Sequence, residues 1–551
     1  MNEYRLAPAS AVSACALAAL MLLGFFFFPG HTFLQSDTQI YMPMLERLWD
    51  PSALSRDLIA TRPHLDYTIY DETVLLARRI LGLEFRTTLV AEQILFRFLG
   101  LCGIYLIARS LRFSRPVAVW VAAMLALGAT ILGPAVLIWE YEPVPRGFAV
   151  PLLFLAVGLA AHEAALAAGI VGAISFLYHP PTVYPFWIAY LLVALMPHEP
   201  RVMRLRRQGL VPLAIAIAVL LLLAKLHHGS SEPQVFLSQI DASTEALQRL
   251  RAPYNWVSAW GAEVYFQYLL LAALSGAALY RLRRYLPETL TIFAICMPVI
   301  GLLSMLASLI LLEGFKWALI PQFQPARAVL FITAFAAIGS ALAAAAAHQE
   351  KENLECFGWL CAAFAIPTQT NLLQLLWPFG DPVLGWRLAV IAGLSAATVV
   401  TFQIRKEAAA AVACAAMFII PKYGKVVNYP QVHTAALEQL SQWANTSTPP
   451  SAMFHFPDAG RGQAPGIFRA QSVRAIYVDW KSGGQVNFMK GLGEEWWSRW
   501  QQTLGAGYKP APPESYAPLG ADYVVLQTRN KIAGAQSIME NSGYIVYKTR
   551  P

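Results

Sequence analysis

Long apolar runs separated by short polar connections fill the first 421 residues, and a chain patterned this way has few folds open to it. The runs occupy residues 8–29, 93–111, 117–138, 147–161, 164–179, 182–197, 210–226, 264–280, 288–312, 328–347, 354–371, 386–403 and 408–421. About 20 apolar residues carry a helix across a bilayer, and backbone groups inside lipid must bond internally. The pattern therefore predicts a polytopic α-helical membrane protein of about 13 transmembrane helices, with a range of roughly 11–14 because several runs fit only broken or re-entrant helices. With 57% hydrophobic and 13% charged residues, the chain is too apolar for a water-soluble protein of 551 residues.

The charge pattern supplies an orientation. The net charge of +8 is not gathered into a patch or tail, which argues against a nucleic-acid partner and for membrane lipid. Basic residues cluster instead in alternate connections: Arg109, Arg112 and Arg115; Arg201, Arg204, Arg206 and Arg207; Arg281, Arg283 and Arg284; Lys351; and Arg405 with Lys406. Placed in the cytoplasm by the positive-inside rule, these loops put the N-terminus inside and, after an odd number of spans, the C-terminus outside. The expected location is a bacterial inner membrane with a periplasmic C-terminal region. The first run lacks a clear small-residue cleavage site and reads as an uncleaved helix. All six cysteines lie in or beside apolar runs, which predicts neither a disulfide framework nor a cysteine metal site.

The expected organisation is a first transmembrane helix in 1–30, a first outer loop with short interfacial helices in 31–92, the remaining helix bundle in 93–421, and a soluble domain in 422–551. That last stretch is richer in Pro, Gly, Asn, Gln and Trp. Its alternating runs at 473–480, 521–528 and 543–550 predict strands, and 431–444 and 494–504 predict helices, giving a small α/β or α+β domain. A turn at Thr448-Pro449-Pro450 leads into a further strand. No dinucleotide or nucleoside triphosphate loop and no internal repeat is present.

The candidate chemical groups fall on the predicted outer side, where ionisable residues need partners or an aqueous cavity. The first outer loop carries Asp37, Asp50, Asp57 and Asp66, which suit either a hydroxyl-activating site or the capping of short helices. Glu140 and Glu142 in IWEYEPVPRG are candidate acids, with pairing to Arg146 as the alternative. His179 in FLYHPPTVYP precedes two prolines that fix the chain around it, for a phosphate, a metal or a proton, or as a helix cap. Arg327 in KWALIPQFQPAR suits an anion ligand or a headgroup anchor, because a guanidinium bonds phosphate oxygens in pairs. The stretch 227–262, with His227, His228, Asp241, Arg249 and Arg251, is long enough for a lid, though the adjacent histidines have no metal-ligand spacing. In the C-terminal stretch Arg469, Arg474, Asp479 and Lys481 suit an acceptor groove or surface ion pairs.

The combination SDTQIYMPMLERLWDPSALSRD, FLYHPPTVYP, FRAQSVRAIYVDWKSGG and LGADYVV resembles a group of bacterial membrane proteins related to the GT-C superfamily of integral-membrane glycosyltransferases. The resemblance spans essentially the whole chain. It implies a GT-C-like architecture and transfer of a sugar from a polyprenyl-phosphate-linked donor to a glycan, lipid or protein acceptor. Asp37 would take the role of the first-loop catalytic acid, although Ser36 and Thr38 flank it where the family usually has a second carboxylate. Glu140 or Glu142 would match the second-loop acid, and Arg327 or His179 the phosphate ligand. A divalent cation, Mg or Mn, would bind at Asp37.

Two other functions fit the pattern of spans. A transporter would place binding groups near mid-membrane and often shows inverted repeats, and neither is evident. A nonenzymatic scaffold would work through its C-terminal domain, with EEWWSRW as a contact site.

Overall fold

The computed structural model describes residues 10–62, 67–226, 238–372 and 382–550. It is a polytopic helical membrane protein in which, among the described residues, six helices are long and apolar enough to cross a membrane: Phe85–Ser110, Pro200–Leu226, Ala262–Leu282, Glu288–Gly314, Ile320–Gln349 and Leu384–Ile404. Shorter apolar helices cover Ala11–Phe26, Arg115–Ala126, Pro145–Ala161, Ala165–Tyr178 and Pro180–Leu195. Each of the expected runs contains a helix, and among the described residues at least six of these helices meet this length criterion.

Helix α1 (Ala11–Phe26) begins where Ser10 accepts the Ser13 N–H. The segment that follows, expected as the first outer loop, holds α2 (Thr38–Trp49) and α3 (Tyr70–Leu81). Gly82, at φ +65, ends α3 as a left-handed cap, and α4 (Phe85–Ser110) follows. Residues 85–92, expected in the loop, are thus the first turns of α4. The run at 117–138 also divides. Helix α5 (Arg115–Ala126) stops early, Gly128 takes φ +69, and β1 (Thr130–Ile131) pairs antiparallel with β2 (Val136–Leu137).

Helix α6 (Pro145–Ala161) packs on α4 at backbone distance. A Cβ at Gly103 would meet the Leu155 nitrogen at 2.3 Å, and one at Gly158 would meet the Gly103 oxygen at 2.5 Å. Small residues allow this approach in membranes. Helices α7 (Ala165–Tyr178) and α8 (Pro180–Leu195) meet at a corner, with Pro180 and Pro181 in the first turn of α8 and His179 between the helices. Then come α9 (Pro200–Gln208), α10 (Val211–Leu226), α11 (Ala242–Arg251), α12 (Ala262–Leu282) and α13 (Glu288–Ser308).

The C-terminal region contains a five-stranded sheet of order β4-β3-β5-β7-β6, formed by β3 (Met453–His455), β4 (Ala475–Ile476), β5 (Tyr523–Gln527), β6 (Met539–Glu540) and β7 (Tyr544–Lys548). Strand β3 runs parallel to β4 and β5, the helix Ala464–Ser472 makes the β3-to-β4 crossover, and β7 pairs antiparallel with β5 and β6. Alternating residues serve two cores. Tyr523, Val525 and Val546 face one, whereas Val524, Leu526, Ile545 and Tyr547 face the other. The run at 473–480 yields only a two-residue strand, because after Ile476 the chain leaves the sheet and descends toward the α2–α3 segment.

A buried ion network joins the two regions. The Arg469 guanidinium, 1% exposed, donates to the Gln39 carbonyl at 3.0 Å and Ser482 Oγ at 2.9 Å, and lies 3.5 Å from Asp479 Oδ1 and 3.7 Å from Asp57 Oδ1. Asp57 in turn accepts the Ile59, Ala60 and Ile476 N–H groups. Every charge taken out of water here has an opposite partner, as burial requires.

Candidate functional site

A cavity of ≈ 620 Å³ lies where the α2–α3 segment, the α7–α8 corner, α10, the Leu319–Arg327 stretch and the C-terminal region meet. Asp37, Arg146, His179, Arg251, Arg327 and Lys481 are among its lining residues. Ile217, Leu220 and Leu221 of α10 form an apolar wall, and Ile217 and Leu221 are themselves exposed on the outer surface of the bundle.

Asp37 immediately precedes α2, and its loop is wrapped around Glu142. The Glu142 carboxylate, 2% exposed, accepts the backbone N–H groups of Gln35 at 2.6 Å, Ser36 at 2.7 Å and Thr38 at 3.1 Å, together with the Thr38 hydroxyl at 2.8 Å. Burial and the neighbouring Asp37 charge push its pKa up, against the pull of these donors. Glu142 is therefore a positioning group beneath the loop.

Glu140 acts through a different partner. Its Oε1 accepts from Arg146 Nε at 2.7 Å and from the Leu137 N–H at 3.1 Å, and Arg146 Nη1 reaches Asp37 Oδ2 at 2.9 Å. The other Asp37 oxygen accepts from Lys481 Nζ at 2.7 Å. Burial raises the Asp37 pKa, but the Lys481 and Arg146 charges and hydrogen bonds more than offset it and hold the carboxyl well below the usual carboxylate range. Of the three candidate acids only Asp37 lines the cavity. Glu140 holds the arginine that holds it.

Arg327 enters from a tight turn. Gln324 takes φ +51, Pro325 opens the turn Pro325–Ala328, and the Tyr184 hydroxyl bonds the Pro325 carbonyl at 3.0 Å. Among the described residues no carboxylate pairs with Arg327, and its Nε is buried without a hydrogen-bond partner. His179 places Nδ1 2.8 Å from Thr182 Oγ1, and burial, followed by the Arg327 and Arg146 charges, holds the imidazole neutral. Arg251 donates to the Trp480 carbonyl at 2.6 Å and stacks on the Trp480 ring at 3.9 Å.

The cavity thus gathers Asp37, His179, Arg327 and Lys481, together with Arg146 and Arg251, from the sequence candidates, and leaves Glu140, Glu142, Arg469, Arg474 and Asp479 outside its lining. Arg469 and Asp479 lie in the buried network beneath it. Arg474 is turned to the Asn445, Thr448, Ser472 and Val473 carbonyls and does not line it, so neither an open acceptor groove nor surface ion pairs describes these three residues. Asp50 caps Ser52, accepting its N–H at 2.9 Å. Asp66, His227 and His228 lie outside the described residues. Trp496 and Trp500 of EEWWSRW are core residues rather than a displayed contact. The carboxamides Gln322, Gln324, Gln463 and Gln485, with Tyr254 and Trp480, also line the cavity. Sequence reading missed them because scattered glutamines carry no spacing signal.

Among the described residues, no group of three or more His, Cys, Asp or Glu side chains converges as a metal site. Both Asp37 carboxylate oxygens are engaged by side-chain cations, Oδ2 by Arg146 and Oδ1 by Lys481.

No family model matches the chain, and no curated protein does. Among solved structures it is similar to ArnT from Cupriavidus metallidurans bound to undecaprenyl phosphate, with TM-score 0.51 and 13% identity over 97% of this chain and 96% of that one. It also matches the Archaeoglobus fulgidus oligosaccharyltransferase tethered with an acceptor peptide, with TM-score 0.40 and 12% identity over 94% of this chain and 69% of that one. A third match is the mycobacterial arabinofuranosyltransferase AftD, with TM-score 0.43 and 13% identity over 98% of this chain and 42% of that one. The end-to-end likeness to ArnT shows a shared fold: a polytopic helical bundle followed by a C-terminal region with a small sheet.

Proposed function

We propose that this protein is a membrane glycosyltransferase that moves a sugar from a polyprenyl-phosphate-linked donor to a hydroxyl of a glycan, lipid or protein acceptor. The observation that carries this reading is the cavity itself, in which an aspartate and unneutralised cationic groups face each other beside an apolar wall reaching the lipid-facing surface. An amphiphile with a hydrocarbon tail and a phosphate head fits that division. Undecaprenyl phosphate in ArnT, a protein of the same fold, is a molecule of this kind.

In the proposed reaction the tail lies along Ile217, Leu220 and Leu221, and Arg327 receives the phosphate with bidentate hydrogen bonds. The bond between the anomeric carbon and the phosphate oxygen breaks, its electron pair leaving with the phosphate. The acceptor oxygen bonds to the anomeric carbon and gives its proton to Asp37. Preorganised guanidinium groups lining the cavity stabilise the charge that develops on the phosphate. Gln463, Gln485 and Trp480 face the acceptor from the C-terminal side. The basic-loop pattern supports a location of this chemistry on the outer face of a bacterial inner membrane, with the N-terminus cytoplasmic and the C-terminal region periplasmic.

The test is transfer by purified protein in proteoliposomes supplied with a panel of polyprenyl-phosphate sugars. Asp37→Asn should lower transfer by about 10²–10⁴-fold, the usual contribution of a general base, while membrane insertion and folding persist. Because side-chain cations meet the phosphate in this scheme, activity should survive EDTA. Folded wild-type protein that transfers no sugar from any donor of the panel sinks the proposal.

A further inference from the structure

On the reading of this cavity as a polyprenyl-phosphate site, we propose that Lys481 is a shared cation: it pairs with Asp37 in the empty site and passes to the phosphate when the donor binds. Asp37 and the phosphate then compete for one ammonium group. Donor binding and base activation become a single event.

The geometry separates the two cations that hold Asp37. Arg146 is fixed from behind, since Glu140 grips it at 2.7 Å and 3.5 Å and its side chain is only 13% exposed. Among the described residues Lys481 has no such second carboxylate. Its Nζ contacts Asp37 Oδ1 at 2.7 Å and Ser36 Oγ at 3.0 Å, and its side chain is 23% exposed and lines the cavity. The backbone on either side is tied down, because the Trp480 carbonyl accepts from Arg251 and the Ser482 hydroxyl accepts from Arg469. A pinned backbone with a flexible four-carbon stem leaves the ammonium free to move while its anchor stays. Arg327 lines the same cavity and has no carboxylate partner among the described residues, so an arriving phosphate meets it first and then lies within the field of Lys481.

The consequence is chemical order. While Lys481 and Arg146 both engage it, Asp37 is a poor proton acceptor, and a hydroxyl arriving alone is not activated. Moving Lys481 to the phosphate removes one cation from Asp37 and brings an anion near it. Both changes strengthen the base. The donor therefore binds first, and the acceptor proton is taken only in the loaded site.

The competition is measured by equilibrium binding of a short-chain polyprenyl phosphate to the full-length protein in detergent, with inorganic phosphate as a second probe that isolates the head group. Asp37→Asn frees Lys481 and should bind both probes about tenfold tighter than wild type. Lys481→Met should weaken binding about tenfold and, in the Asp37→Asn background, should abolish the gain, a coupling that a merely structural lysine would not show. Asp37→Ser removes the same charge and serves if the asparagine variant does not fold. If wild type binds the probes and neither charge-removing variant binds more tightly, the shared-cation proposal is overturned while the phosphate site stands. If folded wild type and variants all fail to bind, the glycosyl-transfer reading falls with it.

Discussion

Glu142 shows how much of this site depends on a single side chain that does not line the cavity. Its carboxylate closes the 34–38 turn by accepting four hydrogen bonds, three of them from backbone N–H groups, and so sets the direction in which Asp37 leaves the chain. Removing a buried acceptor leaves its donors unsatisfied, at a cost of roughly 1–3 kcal/mol and more where the lost group is charged. Glu142→Ala should therefore destabilise the protein by about 3 kcal/mol and lower turnover by more than about tenfold. Glu142→Gln keeps one carbonyl acceptor and should recover part of both. Thermal unfolding in detergent and kcat for sugar transfer read the two effects separately. Residue type and loop position made Glu140, Glu142 and Asp37 look alike in the sequence. Which of them reaches the cavity was decided by partners more than 100 positions away for Asp37 and Glu142.

At the scale of elements, the α4–α6 crossing sets where Arg146 stands, since Arg146 lies in the first turn of α6. Gly103 lets the two backbones touch, and an alanine there would place Cβ 2.3 Å from both the Leu155 nitrogen and the Phe154 carbonyl carbon. Neither backbone atom can move aside cheaply. Gly103→Ala should cost about 1–3 kcal/mol or prevent folding outright. Gly276→Ala, also within a helix but with no heavy atom within 4 Å of the new Cβ, should be neutral or stabilising by about 0.5–1 kcal/mol. Thermal melts of the two variants check the contrast. Apolar runs located the apolar helices of the bundle, because burial in lipid demands them, but they missed the polar α9 and α11 and overshot at 117–138, where Gly128 breaks the helix and a short hairpin takes over. Hydropathy alone does not distinguish a buried hairpin from the continuation of a helix.

For the whole molecule, the C-terminal region completes the cavity instead of hanging from the bundle. It contributes Gln463, Trp480, Lys481, Gly484, Gln485 and Phe488 to the lining, and the buried Arg469 network holds it in register with α2 and Asp57. Arg469→Met leaves Asp57 and Asp479 buried without their common cation, and breaking such a set costs about 3–5 kcal/mol. The expected outcome is loss of sugar transfer, together with protease cleavage between the bundle and the C-terminal region at concentrations that leave wild type intact. Protected Arg469→Met protein with normal transfer would contradict this coupling. Sequence by itself determined the membrane class, the positions of the apolar helices and the strand-rich character of the C-terminal region, because each follows from local solvation and chain periodicity. Only the tertiary structure decided which polar groups share a cavity, since the Asp37–Lys481 pair spans 444 positions and its geometry is set by the packing of separate elements.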